Sequence, residues 1–174
     1  MTVSHTSTSY HIWEYQHTDA DSISTPSDIK RFLVANSYTD GSGNNQMQDM
    51  VRFEATVSIG EGNEATYDLA GGVLDVFGNT ITFATVKKIL LINNSTTSGE
   101  DIRLGGPVAG TTGNLITSIF GDVTGGATAK AGGVINIEAP LTGYAVTGGS
   151  ADVLVVSNEG TGDITYQLLI GGTR

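Results

Sequence analysis

The three histidines of the chain, His5, His11 and His17, are the side chains best suited to bind a metal, and they recur six residues apart. Metal-binding pairs stand four residues apart on a helix and two apart on one face of a strand, so this spacing suits neither. Copies of His11 or His17 from three subunits around an oligomer axis would be the one arrangement that brings imidazoles together. Polar residues of an N-terminal segment explain the histidines more simply, and we expect no metal ion.

A second candidate is the turn that contains Asp40, Ser42 and Asn44, whose side chains have the one-three-five oxygen spacing of a calcium-binding loop. The bidentate acid that completes such a loop is missing, because its position is occupied by Val51. A tight turn capped by Asp and Asn side chains accounts for the same residues. We therefore interpret the segment as a turn.

The sequence does not contain the common motifs of catalytic sites. The chain has no cysteine, which excludes a thiolate zinc site and a cysteine nucleophile. It also lacks a Gly-x-Ser-x-Gly elbow, a His-Glu-x-x-His pair and a P-loop, and the glycines at 60 and 62 are not followed by a helical pattern. Paired carboxylates such as Asp68 and Asp75 would leave a glycan-active enzyme as the remaining catalytic alternative. We expect no catalytic residue, no cofactor and no enzyme activity.

Composition limits the function further. The 174 residues include 18 Asp and Glu against eight Lys and Arg, and a net charge of −10 repels nucleic-acid phosphates. No apolar run approaches the ~20 residues that span a bilayer, and the first ten residues lack the pattern of a signal peptide. We expect one domain that binds neither nucleic acid nor membrane.

The elements that must position these residues are strands. Glycine is frequent, at 24 residues, and Met50–Ile59 alternates, with Val51, Phe53, Ala55, Val57 and Ile59 facing one side. Ile29–Ala35 has the composition of an earlier strand. Two stretches, Lys88–Gly106 and Asp152–Gly172, share an order of apolar quartet, Asn, polar turn, Asp-Ile and Gly-Gly, which predicts two hairpins at equivalent corners. The fold class is all-β: a jelly-roll-like β-sandwich of eight to ten strands.

Residues 1–26 differ from the β-sandwich domain predicted for residues 27–174. They form an extended N-terminal arm that holds the single tryptophan and all three histidines. Burying aromatic side chains stabilises a contact by about 1.5–3 kcal/mol each, so we expect the arm to dock on a partner or a neighbouring copy. The predicted contact residues are Tyr10, His11, Ile12, Trp13, Tyr15 and His17.

Several strings together resemble small β-rich virion structural proteins of tailed bacteriophages. They are PSDI (26–29), TDGSGNNQ (39–46), YDLAGG (67–72), DVFG (75–78), ITFATVK (81–87), INN (92–94) and DVLVVSN (152–158). The resemblance covers most of residues 26–172 and consists of turns and strands, so it carries over no catalytic residues.

The resemblance implies a non-enzymatic capsid decoration (cement) protein that stabilises the head shell. Its partners would be the major capsid protein and its own copies, as a homotrimer on the virion surface, after synthesis in the host cytoplasm. The alternative that it leaves open is a tail- or fibre-associated module that binds a host surface carbohydrate.

Overall fold

The computed structural model describes residues 7–18, 27–58, 64–75, 77–105, 116–121 and 125–174. Within them the chain forms thirteen strands and one short helix. The strands are β1 (Ser7–Thr18), β2 (Ser27–Tyr38), β3 (Asp49–Val57), β4 (Glu64–Asp68), β5 (Val73–Leu74), β6 (Thr80–Ile81), β7 (Thr85–Asn93), β8 (Ile102–Leu104), β9 (Ala127–Ala129), β10 (Val134–Glu138), β11 (Tyr144–Ala145), β12 (Val153–Asn158) and β13 (Ile164–Thr173), with helix α1 (Ile116–Phe120) between β8 and β9.

Two antiparallel sheets form the body of the protein. One has the order β10-β7-β13-β3, with the short β11 also paired to β7, and the other has the order β4-β12-β8-β9. Among consecutive strands of these two sheets, most connections cross from one sheet to the other, as they do in jelly-roll and Greek-key sandwiches. The expected all-β sandwich is confirmed.

The core lies between these sheets and is built from alternating residues of each strand. In β3, Val51 and Val57 are buried, and Phe53 and Ala55 pack against the core, as the alternation predicts. Ile59, predicted on the same face, lies outside the described residues. The apolar residues that follow one another at every second position therefore fix which face of β3 is buried.

The two stretches with a shared order of residues are not hairpins, and that prediction was wrong. β7 and β8 lie in different sheets, and so do β12 and β13, so each stretch is a β-arch that connects the two layers. The arches interlock, because β8 pairs with β12 and β13 pairs with β7. The prediction of two equivalent corners of the sandwich does agree with this arrangement.

The expected extended arm contributes strand β1, which pairs along its whole length with β2 in a separate two-stranded antiparallel sheet. We call β1 and β2 together the N-terminal hairpin. It joins residues assigned to the arm with residues assigned to the sandwich. The predicted strand Ile29–Ala35 lies within β2, which continues to Tyr38, a fully buried residue at the base of the hairpin.

Candidate functional site

The N-terminal hairpin is long, and no other strand of the described residues pairs with either of its outer edges. Its twelve register pairs run from Ser7 opposite Tyr38 to Thr18 opposite Ser27. Strands of this length reach about 40 Å. Among the described strands, β1 and β2 pair only with each other, and an isolated two-stranded ribbon is marginally stable in water. Its open edges and its two faces are therefore suited to covering by another chain.

The six predicted contact residues all fall on β1, but the register divides them between the two faces of the hairpin. Directly opposed residues of an antiparallel pair share a face, and the opposed pairs include Trp13 with Phe32 and His11 with Val34. By strand alternation, positions 11, 13, 15 and 17 belong to one face and positions 10 and 12 to the other. Val34 is 56% exposed, so the face shared with Trp13 includes accessible apolar surface.

Two of the three histidines, His11 and His17, lie on strand β1. His11 and His17 share a face of β1, but six residues of strand separate them by about 20 Å. One metal ion cannot bridge that distance within one chain. His5 lies outside the described residues, and the described part of the chain has no cluster of three or more His, Asp or Glu residues able to hold a metal.

The base of the hairpin is attached to the sandwich by a cluster of polar residues that sequence reasoning missed. Asn36 Nδ2 donates to Glu138 Oε2, and Lys88 Nζ donates to the other oxygen of Glu138 at 2.9 Å. The side chains of Lys88 and Glu138 are 8% and 7% exposed. The available signal was a pair of lysines directly before the apolar run of β7, since buried charges are retained only with partners.

Tyr38 lies beside this cluster and responds to it electrostatically. Burial, and to a smaller degree the negative charge of Glu138, raises the pKa of the Tyr38 phenol to about 12. The Tyr38 hydroxyl is buried without a hydrogen-bond partner among the described residues. The base of the hairpin is thus a junction where charged groups are enclosed by protein.

The neighbouring Lys87 anchors the loop after β2 in a different way. Its Nζ donates to the carbonyl oxygens of Gly43 at 2.5 Å and Leu141 at 3.1 Å, and burial lowers its pKa. The segment that contains Asp40, considered above as a calcium loop, is therefore a turn that receives an ammonium group on a backbone carbonyl. Gly43 N–H also donates to Gln46 Oε1 at 2.8 Å, which closes the turn.

Asp68 and Asp75, the two carboxylates considered for glycan chemistry, each accept hydrogen bonds within the turn in which they lie. Asp68 Oδ1 accepts the Ala70 amide at 2.9 Å, and Asp75 accepts hydrogen bonds from Asn79 and Phe77. Those hydrogen bonds, with the Asn79 side chain first, lower the pKa of Asp75. A general acid needs a raised pKa, so the environment of Asp75 does not favour that role.

A shallow depression on the sandwich has a volume of about 530 Å³. Its lining is polar and small: Thr96, Ser98, Gly99, Asp101, Lys130 and Ala131. Lys130 Nζ and Asp101 Oδ2 form an ion pair of 2.5 Å within it. The described lining contains no aromatic ring on which a sugar could stack.

Comparison with known proteins identifies no relative: no family model, curated protein or solved structure matches the chain. Within the described residues, none of the helical structure is long and apolar enough to cross a bilayer.

Proposed function

We propose that the protein is a non-enzymatic virion structural component, a capsid decoration protein that binds the head shell through its N-terminal hairpin. The observation that carries the proposal is the hairpin itself: two twelve-residue strands that pair only with each other among the described strands. Such a ribbon gains stability when another chain covers it. A neighbouring copy and the major capsid protein are the partners that this role requires.

The division between hairpin and sandwich supports the proposal. The sandwich has its own core between two sheets and does not need the hairpin to complete either of them. A folded body with a separate ribbon suits a protein that coats a larger assembly, since the body stays outside while the ribbon reaches a neighbour. Contacts of a few kcal/mol per copy, repeated over a shell, would stabilise the assembled state.

The test uses the full-length protein and point variants of the hairpin. Co-sedimentation with heads of the phage that encodes the protein, together with the solution mass from light scattering, should show a defined oligomer, expected to be a trimer, that binds heads. The double variant Trp13→Ala/Phe32→Ala alters an opposed apolar pair and should abolish sedimentation with heads. A monomer that ignores heads would overturn the proposal.

A matched control separates the aromatic pair from the hairpin as a whole. Thr8 and Ser37 are also directly opposed, and both are exposed. The variant Thr8→Ala/Ser37→Ala should bind heads as the unaltered protein does. If wild type fails to bind heads and instead binds a glycan array, the tail- or fibre-associated alternative replaces the decoration function.

A further inference from the structure

An amine, a carboxylate and a carboxamide meet where the hairpin joins the sandwich. Lys88 of β7 lies directly opposite Glu138 of β10 in the antiparallel register, and its Nζ is 2.9 Å from Glu138 Oε1. Glu138 Oε2 accepts a hydrogen bond from Nδ2 of Asn36, a partly buried residue of β2. One carboxyl group therefore contacts both the lysine nitrogen and the asparagine amide.

Apolar groups and backbone enclose this cluster. Tyr38 and Met47 are both fully buried, and Met47 packs against Gly171, the residue of β13 that lies opposite Lys88. An ion pair in such a site loses the solvation that favours separated charges in water.

We propose that Lys88 and Asn36 form an intramolecular isopeptide bond and that Glu138 is its acid–base catalyst. The Glu138 carboxylate takes a proton from Nζ of Lys88, and the free amine attacks Cγ of Asn36. A bond forms between Nζ and Cγ, and Glu138 passes the proton it has taken to Nδ2 and then takes the second proton from the attacking nitrogen. The Cγ–Nδ2 bond breaks, and Nδ2 leaves as ammonia, which takes the remaining proton from Glu138 and so restores the carboxylate. No oxidant or other co-reactant is needed.

The placement of the two oxygens of Glu138 suits both proton transfers. Oε1 contacts the nucleophile and Oε2 contacts the leaving nitrogen, so the carboxyl group serves as base at one end and as acid at the other. Folding holds the reacting groups on one carboxyl group, which replaces a bimolecular encounter by an intramolecular one. The bond would link β2 to β7 and fasten the hairpin to the sandwich covalently.

The adjacent Lys87 shows that burial alone does not create this site. Its Nζ donates to backbone carbonyls of Gly43, Pro140 and Leu141. Those contacts offer no side-chain carboxylate as a base and no carboxamide as an electrophile. We therefore assign the reaction to Lys88 and not to its neighbour.

The mass of the denatured full-length protein tests the proposal directly. After incubation at neutral pH, the mass should be lower than the sequence mass by one ammonia molecule. Trypsin cannot cleave after an acylated lysine, so the digest should contain peptide 32–52 joined to peptide 88–103. Folded protein with the full sequence mass, or a digest without the joined pair, would overturn the proposal.

Three variants identify the chemistry. Lys88→Arg keeps the positive charge, and Glu138→Gln keeps the side-chain size but removes the base, so both should have the full sequence mass. Lys130→Arg alters an exposed lysine that pairs with Asp101 and should retain the loss of ammonia. Succinimide formation at an asparagine also releases ammonia, but it does not need Lys88. Loss of ammonia that persists in Lys88→Arg would therefore overturn the proposal even if the variant melts at a lower temperature.

Discussion

The hydroxyl groups of Tyr67 and Tyr166 lie 2.6 Å apart inside the core, where they join the two sheets of the sandwich. Tyr67 belongs to β4 in one sheet and Tyr166 to β13 in the other. Burial raises the pKa of both phenols, and for Tyr166 the hydrogen bond to Tyr67 raises it further. The pair satisfies two polar groups that would otherwise be buried without partners, so each hydroxyl depends on the other.

We expect Tyr166→Phe to lower the free energy of unfolding by about 1–3 kcal/mol, because it leaves the Tyr67 hydroxyl buried without its partner. The double variant Tyr67→Phe/Tyr166→Phe removes both polar groups and should be more stable than the single variant. Equilibrium urea denaturation of the wild type, Tyr67→Phe, Tyr166→Phe and the double variant measures the difference. Losses that simply add in the double variant would show that the hydroxyls do not depend on each other.

Tyr38→Phe provides the opposite case, because the Tyr38 hydroxyl is buried without a hydrogen-bond partner among the described residues. Removing an unsatisfied polar group is close to neutral or stabilising. We expect the urea midpoint of Tyr38→Phe to equal or exceed that of the wild type. A loss as large as that of Tyr166→Phe would contradict the difference between the two sites.

Stability should fall in alkaline solution. Folding raises the pKa of Tyr38 from 10.0 to about 12, so the folded state holds the phenolic proton more tightly than the unfolded state. The stabilisation is complete below pH 10.0 and is lost as the pH rises towards about 12. Lys87, with its lowered pKa, acts in the opposite sense, but its effect is complete by pH 10.5. Urea denaturation across this interval should show the decline, and Tyr38→Phe should reduce its slope. An unchanged slope in that variant would contradict the assignment.

The arches show why sequence pattern predicts strands better than partners. Strand β3 was predictable because each of its faces meets one environment, so polar and apolar residues alternate. After the quartets of β7 and β12, the Asn and the polar turn are compatible with a hairpin or an arch, since both reverse the chain. What decides is the remote pairing of Asn158 with Ile102 and of Asn93 with Tyr166, which no local spacing encodes.

The same limit applies to the base of the hairpin. Asn36, Lys88 and Glu138 are far apart in the sequence and fall in strands of ordinary composition. Their meeting depends on the β7–β10 register and on how the end of β2 lies against the sandwich. By contrast, the concentration of aromatic residues in β1 is local, so the sequence alone suffices for the prediction that this segment is a contact surface.

Asn93 in one arch and Asn158 in the other both donate side-chain hydrogen bonds to backbone carbonyl oxygens. The role of these hydrogen bonds can be tested at Asn93. Its Nδ2 donates to the carbonyl oxygens of Glu100 at 2.8 Å and Ala129 at 3.1 Å, and its side chain is buried. Asn93→Asp replaces the donor by an oxygen that faces both carbonyls. We expect the free energy of unfolding to fall by about 1–3 kcal/mol.

The adjacent Asn94 is the control for Asn93→Asp, because it is exposed and Asn94→Asp adds the same charge. We expect that variant to unfold at nearly the wild-type urea concentration. In the other arch, Asn158 Nδ2 donates to Gly162 O at 2.8 Å, so Asn158→Asp should repeat the loss seen at Asn93. Equal stability of Asn93→Asp and Asn94→Asp would contradict the role of the arch asparagines.

The end of β13 depends on a residue without a side chain. The register of β13 with β7 shifts between Gly171 and Gly172, and a Cβ at Gly172 would overlap the carbonyl oxygen of Thr85. Because backbone cannot move as a side-chain end can, Gly172→Ala should displace the last residues of β13. It should also displace Arg174, which directly follows β13 and whose guanidinium pairs with the buried Asp49. We expect a loss of about 1–3 kcal/mol in the free energy of unfolding.

Gly148→Ala is the control, since its new Cβ would lie 3.7 Å from the Cβ of Ala70, an ordinary contact. Urea denaturation that finds the two variants equally stable would show that β13 does not need the glycine.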